Sequence, residues 1–192
     1  MRHISPNLIL ATFILVPAAI AVTVTSTSNP APRATPVEPL RATAQIIDLS
    51  GRTIGSAQLT EAPGGGVTIA LAAHSLPEGK LAWHIHQVGQ CETSQQFKTA
   101  GDHFNPLNKS HGFKHGQGHH AGDLPNLNVS EAGIARTTVT TPNITLLPGT
   151  TTSVMDADGS AIIIHSKADD YTSQPAGDAG TRIACAIIQP AS

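Results

Sequence analysis

Histidine is concentrated in one part of this chain. Seven of its ten histidines fall between His84 and His120. Imidazole nitrogens bind copper and zinc, so this local density indicates a metal site. On a β-strand, His84 and His86 would project from the same side and could share one ion. One such pair is a weak signal by itself, because many strands carry two histidines without binding a metal.

Further candidate ligands follow at irregular spacing, which is typical of a loop that wraps around a cation. They are His103, His111, His120 and Asp123. Three imidazoles and one carboxylate complete a tetrahedral zinc site, and a closed set of four is typical of a structural zinc. His165 ends the apolar run 162–164, where its simplest interpretation is a histidine at the end of a buried strand.

The elements that must position these residues are predicted to be strands. Short β-branched runs alternate with Gly, Pro, Asn and Asp, and helical periodicity is weak. Eight strands are predicted, at 42–48, 52–60, 66–73, 81–87, 127–130, 134–140, 160–165 and 182–188. This spacing predicts an all-β protein, an antiparallel sandwich or flattened barrel.

Two predicted connections are too long for hairpins. They cover residues 88–126 and 166–181, and the first contains five of the ten histidines. Long loops inside a compact domain are commonly functional. We therefore expect these two loops to build the metal site on the scaffold of strands.

Three segments are expected along the chain. An export signal is predicted over residues 1–25, because Arg2 and His3 precede an apolar run. The alternative is an N-terminal membrane anchor that is not cleaved. Residues 26–40, rich in Ser, Thr, Pro and Ala, predict a disordered linker. Residues 41–192 are then one folded domain.

Charge and cysteine content narrow the class of protein further. The formal net charge is −2 and no basic block is present, which disfavours a nucleic acid partner. The only cysteines are Cys91 and Cys185. In an exported chain such a pair suggests a disulfide, and two free buried thiols are the alternative.

Five segments occur in a specific order: HIHQVGQC, AGDHFNP, HHAGDL, IIIHSKADD and AGTRIACAII. Together they resemble the signature segments of the Cu/Zn superoxide dismutase family, over about residues 42–188. The phrases HHAGDLPNL and ADDYTSQPAGDAGTRIAC resemble its bacterial, exported branch. The resemblance implies an eight-stranded Greek-key β-sandwich. It also implies an enzyme that disproportionates superoxide to dioxygen and hydrogen peroxide with one copper and one zinc per chain.

The resemblance also implies roles for individual residues. The copper ligands would be His84, His86, His103 and His165. The zinc ligands would be His103, His111, His120 and Asp123, so that His103 bridges the two metals. Asp169 would link a copper ligand to a zinc ligand, Arg182 would orient the substrate anion above the copper, and Cys91 and Cys185 would form the family disulfide.

Some expectations stay open at the level of sequence. Trp83 replaces the usual phenylalanine before the first ligand, and residues 166–181 lack the Glu-Glu-Lys-Thr steering segment of the eukaryotic branch. A non-catalytic copper-binding or copper-delivery domain is the main alternative, although all ligands and Arg182 are present. The expected location is the periplasm, cell envelope or extracellular space. Monomer and homodimer are not distinguished, and a membrane tether would require the N-terminal segment to stay uncleaved.

Overall fold

The computed structural model describes residues 38–191. The signal or anchor predicted for residues 1–25 lies outside this range, as does most of the linker predicted for 26–40. Within 38–191, no helix has the length and apolar character needed to cross a membrane.

The described chain is built from antiparallel strands. In chain order they are β1 Arg41–Asp48, β2 Thr53–Glu61, β3 Val67–Ala73, β4 Gly79–Leu81, β5 Trp83–His86, β6 Leu127–Val129, β7 Ala135–Thr141, β8 Ala161–His165, β9 Arg182–Ile187 and β10 Gln189–Pro190. Two 3₁₀ turns, Thr93–Gln95 and Lys98–Ala100, are the only helical segments between residues 38 and 191. The all-β, antiparallel prediction is confirmed.

The order of strands shows how the sheet curls. Hydrogen-bonded neighbours run β4-β6-β7-β3-β2-β1-β9-β8-β5, and β10 pairs with β1. The two ends of this path, β4 and β5, are consecutive in the chain and only Ala82 separates them. The sheet therefore curves into a flattened barrel. Its Greek-key connections place strands that are distant in sequence, such as β3 and β7, side by side in the sheet.

Ala82 is the point at which the chain changes partners. Its N–H donates to the carbonyl of Lys167 at 2.7 Å, and its carbonyl accepts from the N–H of His165 at 2.8 Å. Before it Leu81 pairs with Leu127, and after it Trp83 pairs with Ile164. The strand predicted over 81–87 is thus two strands. With the two-residue β10, this gives ten strands in the described range instead of eight.

Side-chain alternation divides β5 and β8 between two faces. Trp83 and Ile85 point into the barrel core with Ile162 and Ile164. Side chains at alternate positions of a strand point to opposite faces, so His84, His86 and His165 lie on the outer face of the barrel. The two long loops cover this outer face, which explains why all three histidines are buried.

A second, smaller apolar cluster lies on the same outer face. It contains Phe97, Ala100, Ala161, Ile163 and Cys185, with Cys91 packed against it. Cys91 and Cys185 form a disulfide across a sequence separation of 94, as the sequence predicted. The cluster and the disulfide together fasten the start of the loop 87–126 to β8 and β9.

Candidate metal centre

The free edge of β5 receives the loop 87–126. The N–H of Phe104 donates to the carbonyl of Ile85 at 2.8 Å, and the N–H of Ile85 donates to the carbonyl of Gly122 at 2.9 Å. A Cβ at Gly122 would meet the Ile85 carbonyl oxygen at 2.3 Å, so only glycine permits this approach. These bonds carry His103 and Asp123 next to the histidines of β5.

Four histidines converge on one point and are called here the four-histidine group: His84, His86, His103 and His165. One ring nitrogen from each lies within 4.8 Å of those of the others. Within residues 38–191, five buried ring nitrogens in the group have no hydrogen-bond partner: Nδ1 of His84, Nε2 of His86, Nε2 of His103 and both nitrogens of His165. Buried polar atoms are almost always paired, so these nitrogens fit a cation that binds imidazole, such as copper.

Three of these rings are held by their second nitrogen. His84 Nε2 lies 2.9 Å from Asp169 Oδ2, and His86 Nδ1 donates to the carbonyl of Gly101 at 2.9 Å. His103 Nδ1 lies 2.9 Å from Asp123 Oδ1. A bond at one nitrogen fixes the orientation of the ring and leaves the other nitrogen available as a ligand.

A second group, called here the histidine–aspartate group, consists of His103, His111, His120 and Asp123. The Nδ1 atoms of His103, His111 and His120 lie 2.9, 3.1 and 3.5 Å from Asp123 Oδ1, and Nδ1 of His103 and His120 are 3.3 Å apart. Zinc bonds of about 2.0–2.1 Å require ligand atoms roughly 3.3 Å apart in a tetrahedron. The donor set and its spacing therefore fit zinc.

His103 belongs to both groups. Its Nε2 is among the unpaired nitrogens of the four-histidine group, and its Nδ1 faces Asp123 in the other group. One imidazole ring thus separates the two candidate metal positions. An imidazole deprotonated at both nitrogens can bind a metal on each side, which fits the bridging role implied by the sequence.

Asp169 links the two groups through its carboxylate, which has one oxygen near a histidine of each group. Its Oδ2 lies 2.9 Å from His84 Nε2 and its Oδ1 lies 3.0 Å from His111 Nε2, and all three side chains are fully buried. The main chain of Asp169 is held by Asn126, whose Oδ1 accepts from its N–H at 2.8 Å. Such a carboxylate orients the ligand rings on both sides.

The ionisation of three histidines in the four-histidine group suits cation binding. Burial lowers the pKa of His103 to about 4 and that of His165 to about 3, so both are neutral at pH 7. Burial also lowers the pKa of His86 well below its usual value. His111 differs: burial opposes its charge, but hydrogen bonds to Asp123 and Asp169 outweigh burial and raise its pKa to about 9. Neutral imidazole is the form that binds a metal.

Arg182 stands at the edge of a cleft that opens onto the four-histidine group. The cleft has a volume of about 390 Å³, and His86, His103 and His165 line it together with Arg182. The guanidinium donates to the carbonyls of Phe97 and Gly101 at 2.7 and 2.6 Å. These bonds hold a fixed positive charge beside the cleft.

The structure brings together every side chain that the sequence singled out for the site. The candidate ligands form the two groups, Asp169 hydrogen-bonds to both, and Arg182 lines the cleft. Trp83, whose effect the sequence left open, lies in the barrel interior and donates from Nε1 to the carbonyl of Pro125 at 2.6 Å. Sequence reasoning missed Gly101 and Asn126. Gly101 acts through its own carbonyl, and Asn126 holds the main chain of Asp169 with its side-chain amide. Residue type and spacing carry no signal for either contact.

Comparison with known proteins agrees with this geometry. The family model described as copper/zinc superoxide dismutase matches residues 53–188. A Cu-Zn superoxide dismutase of Aquifex aeolicus is 45% identical over 151 residues, which cover 78% of this chain and 87% of that protein. A superoxide dismutase-like protein of Bacillus subtilis, YojM, is 41% identical over 145 residues, covering 75% of this chain and 74% of that one.

Among solved structures, a crystal structure of a superoxide dismutase-like protein from Bacillus subtilis superposes with a TM-score of 0.73 at 40% identity. The match covers 76% of this chain and 96% of that chain. The chain therefore belongs to the copper/zinc superoxide dismutase family, whose cofactors are copper and zinc.

Proposed function

We propose that this protein disproportionates superoxide at a copper ion held by the four-histidine group, with a structural zinc held by the histidine–aspartate group. The observation that carries the proposal is the position of His103, one ring with a nitrogen in each group. Bound copper supplies reversible one-electron chemistry, which a radical anion requires. The overall reaction converts two superoxide anions and two protons into one dioxygen and one hydrogen peroxide.

His103 is the residue that we assign to proton transfer. Its Nε2 is unpaired and its ring lines the cleft. A proton held at Nε2 therefore faces the space that a small anion enters. From that position the proton can pass directly to an anion in the cleft.

Arg182 is the residue that we assign to binding the anion. Two carbonyl bonds fix its guanidinium, so little side-chain entropy is lost when a substrate docks. Its charge attracts superoxide into the cleft and orients it toward His86 and His165.

The histidine–aspartate group is proposed to give the loop 87–126 its shape. Much of the loop is exposed, and its ligands come from three separate points along it, at His103, His111 and the pair His120 and Asp123. Cross-linking these points by zinc would hold His103 in place for the four-histidine group. The role of this zinc is therefore structural.

We further propose that the protein works in the periplasm or elsewhere in the cell envelope. The disulfide between Cys91 and Cys185 supports an oxidising location, since such bonds are rare in the reducing cytoplasm. The export signal predicted for residues 1–25 agrees with this location. Superoxide generated outside the cytoplasm would then be the substrate.

A copper-delivery domain is the second candidate, and one observation favours weighing it: the Bacillus subtilis relative is described only as superoxide dismutase-like. A copper carrier must hand its ion to a partner protein. Here the four histidines are buried beneath two loops and a disulfide-anchored segment. That enclosure favours turnover of a small substrate over transfer between proteins.

The test combines metal analysis with activity on the purified protein after loading with copper and zinc. One copper and one zinc per chain, with superoxide disproportionation that is lost on copper chelation, is the expected result. Full copper occupancy without disproportionation would overturn the enzymatic proposal in favour of the carrier.

A further inference from the structure

Gln174, in the loop 166–181, makes a pair of contacts that the proposed reaction does not require. Its Oε1 accepts from the N–H of His111 at 2.8 Å, and its Nε2 donates to the carbonyl of His111 at 2.9 Å. The same Nε2 also donates to the carbonyl of Thr172 at 3.1 Å. One side-chain amide thus holds both main-chain polar groups of a residue 63 positions away.

Asn126 makes the reciprocal arrangement in the opposite direction. Its Oδ1 accepts from the N–H of Asp169 at 2.8 Å, and its Nδ2 donates to the carbonyl of Asp169 at 2.9 Å. The two residues held in this way contact each other, since His111 Nε2 lies 3.0 Å from Asp169 Oδ1. Each long loop therefore supplies a side-chain amide that hydrogen-bonds to the main chain of a site residue in the other loop.

The loop that carries Gln174 has little apolar packing of its own. Between residues 166 and 181, Ala179 is the only buried hydrophobic side chain. The position of this loop therefore depends largely on polar contacts, several of which are with the loop 87–126. The amide of Gln174 is well placed for this, because it satisfies a donor and an acceptor at once and cannot rotate without losing both bonds.

We infer that Gln174 is a positioning residue for the zinc site, because it fixes the main chain of His111. With that main chain fixed, the ring can direct Nδ1 toward Asp123 and Nε2 toward Asp169. The inference rests on the proposed function, in which His111 binds zinc. Gln174 has no hydrogen bond to the four-histidine group, so its effect should be confined to the zinc site.

Two substitutions remove the hydrogen bonds between Gln174 and the main chain of His111 in different ways. Gln174→Glu has nearly the same shape, but it places an oxygen against the carbonyls of His111 and Thr172 and so loses both donated bonds. Gln174→Leu removes all three bonds without adding charge. If the added negative charge were what mattered, Gln174→Glu would bind zinc more tightly and Gln174→Leu would not. Weaker zinc binding in both variants would therefore indicate loss of positioning and not an effect of charge.

The matched control is Gln58→Glu, on an exposed position of β2, a strand that pairs only with β1 and β3 among the described strands. It adds the same charge and leaves the metal centre unchanged. Two measurements do not depend on enzyme activity: zinc affinity from competition with a chromophoric chelator, and the visible bands of cobalt(II) bound in place of zinc. The copper(II) spectrum checks that the four-histidine group is intact.

Both Gln174 variants should weaken zinc binding about tenfold or more, the usual effect of removing a contact that orients a metal ligand. They should also shift the cobalt bands, while the copper spectrum and the Gln58→Glu control stay as in the unmodified protein. Either Gln174 variant retaining full zinc affinity with unchanged cobalt bands would overturn the inference. If the unmodified protein bound no zinc, the proposed function would fall, and the inference with it.

Discussion

His86 and Arg182 donate hydrogen bonds to the same oxygen atom, the carbonyl of Gly101, at 2.9 and 2.6 Å. One peptide group therefore sets the position of a proposed copper ligand relative to the charge that attracts the substrate. Gly101 has φ 72° and ψ −155°, a conformation that residues with a side chain rarely adopt. The cleft is organised by the backbone of the loop as much as by its side chains.

Replacing Arg182 with alanine should leave both metals bound and reduce kcat/KM for superoxide by at least about tenfold, because the fixed charge at the cleft is lost. His86 keeps its bond to Gly101 in this variant, so copper should stay. Stopped-flow or pulse-radiolysis rates with metal analysis make the measurement. Arg52→Ala, which removes a surface arginine paired with Asp48, is the control. Loss of copper from Arg182→Ala would contradict the assigned role.

Replacing His165 with alanine should abolish copper binding and activity while zinc binding persists. His165 belongs only to the four-histidine group, and its buried ring lines the cleft. Metal content and the copper(II) spectrum measure the result. His74→Ala serves as the control, since that histidine is exposed and its ring hydrogen-bonds to the neighbouring Ser75. Copper retained at full occupancy would remove His165 from the ligand set.

Replacing both cysteines with serine should lower the stability of the metal-free protein. The disulfide spans a sequence separation of 94, and constraining a loop of this length stabilises the native state by about 4–5 kcal/mol in the chain-entropy model. Thermal melting of the double variant, beside the parent with and without a reductant, measures the change. A melting curve that neither reduction nor substitution alters would show that the loop is held by packing alone.

The metal-free protein should be most stable near pH 6.5, where histidine titrates in the unfolded chain. Burial lowers the pKa of His103 to about 4 and that of His165 to about 3, so below pH 6.5 the unfolded chain binds protons first and stability falls. His111 behaves in the opposite way. Against the effect of burial, hydrogen bonds to Asp123 and Asp169 raise its pKa to about 9. The stability that His111 adds to the folded state is therefore fully present below pH 6.5 and is lost as the pH rises through 9.

Denaturant unfolding at pH 5, 6.5 and 9 measures this profile. Zinc should remove the decline between pH 6.5 and 9, because His111 must lose its proton to bind the metal. A metal-free protein whose stability keeps rising up to pH 9 would contradict the assigned charge of His111.

Much of the candidate site could be predicted from sequence. The alternation in β5 put His84 and His86 on one face, and the order of five short segments indicated the remaining ligands, Arg182 and the disulfide. The disulfide is confirmed, and the side chains named for the site lie together in the fold, while their roles as metal ligands stay predictions. Strand alternation is a local property that residue spacing carries by itself, whereas the remaining ligands and Arg182 were indicated by the resemblance to a known family.

The tertiary structure decided what depends on contacts between distant segments. The exchange of strand partners at Ala82 requires both Lys167 and His165 to be in place. The grip of Gln174 on His111 joins residues 63 positions apart, and that of Asn126 on Asp169 joins residues 43 apart. A main-chain N–H or carbonyl is the same in almost every residue, so the sequence cannot show which of them a side-chain amide will hold. Only the folded arrangement of the two loops selects these partners.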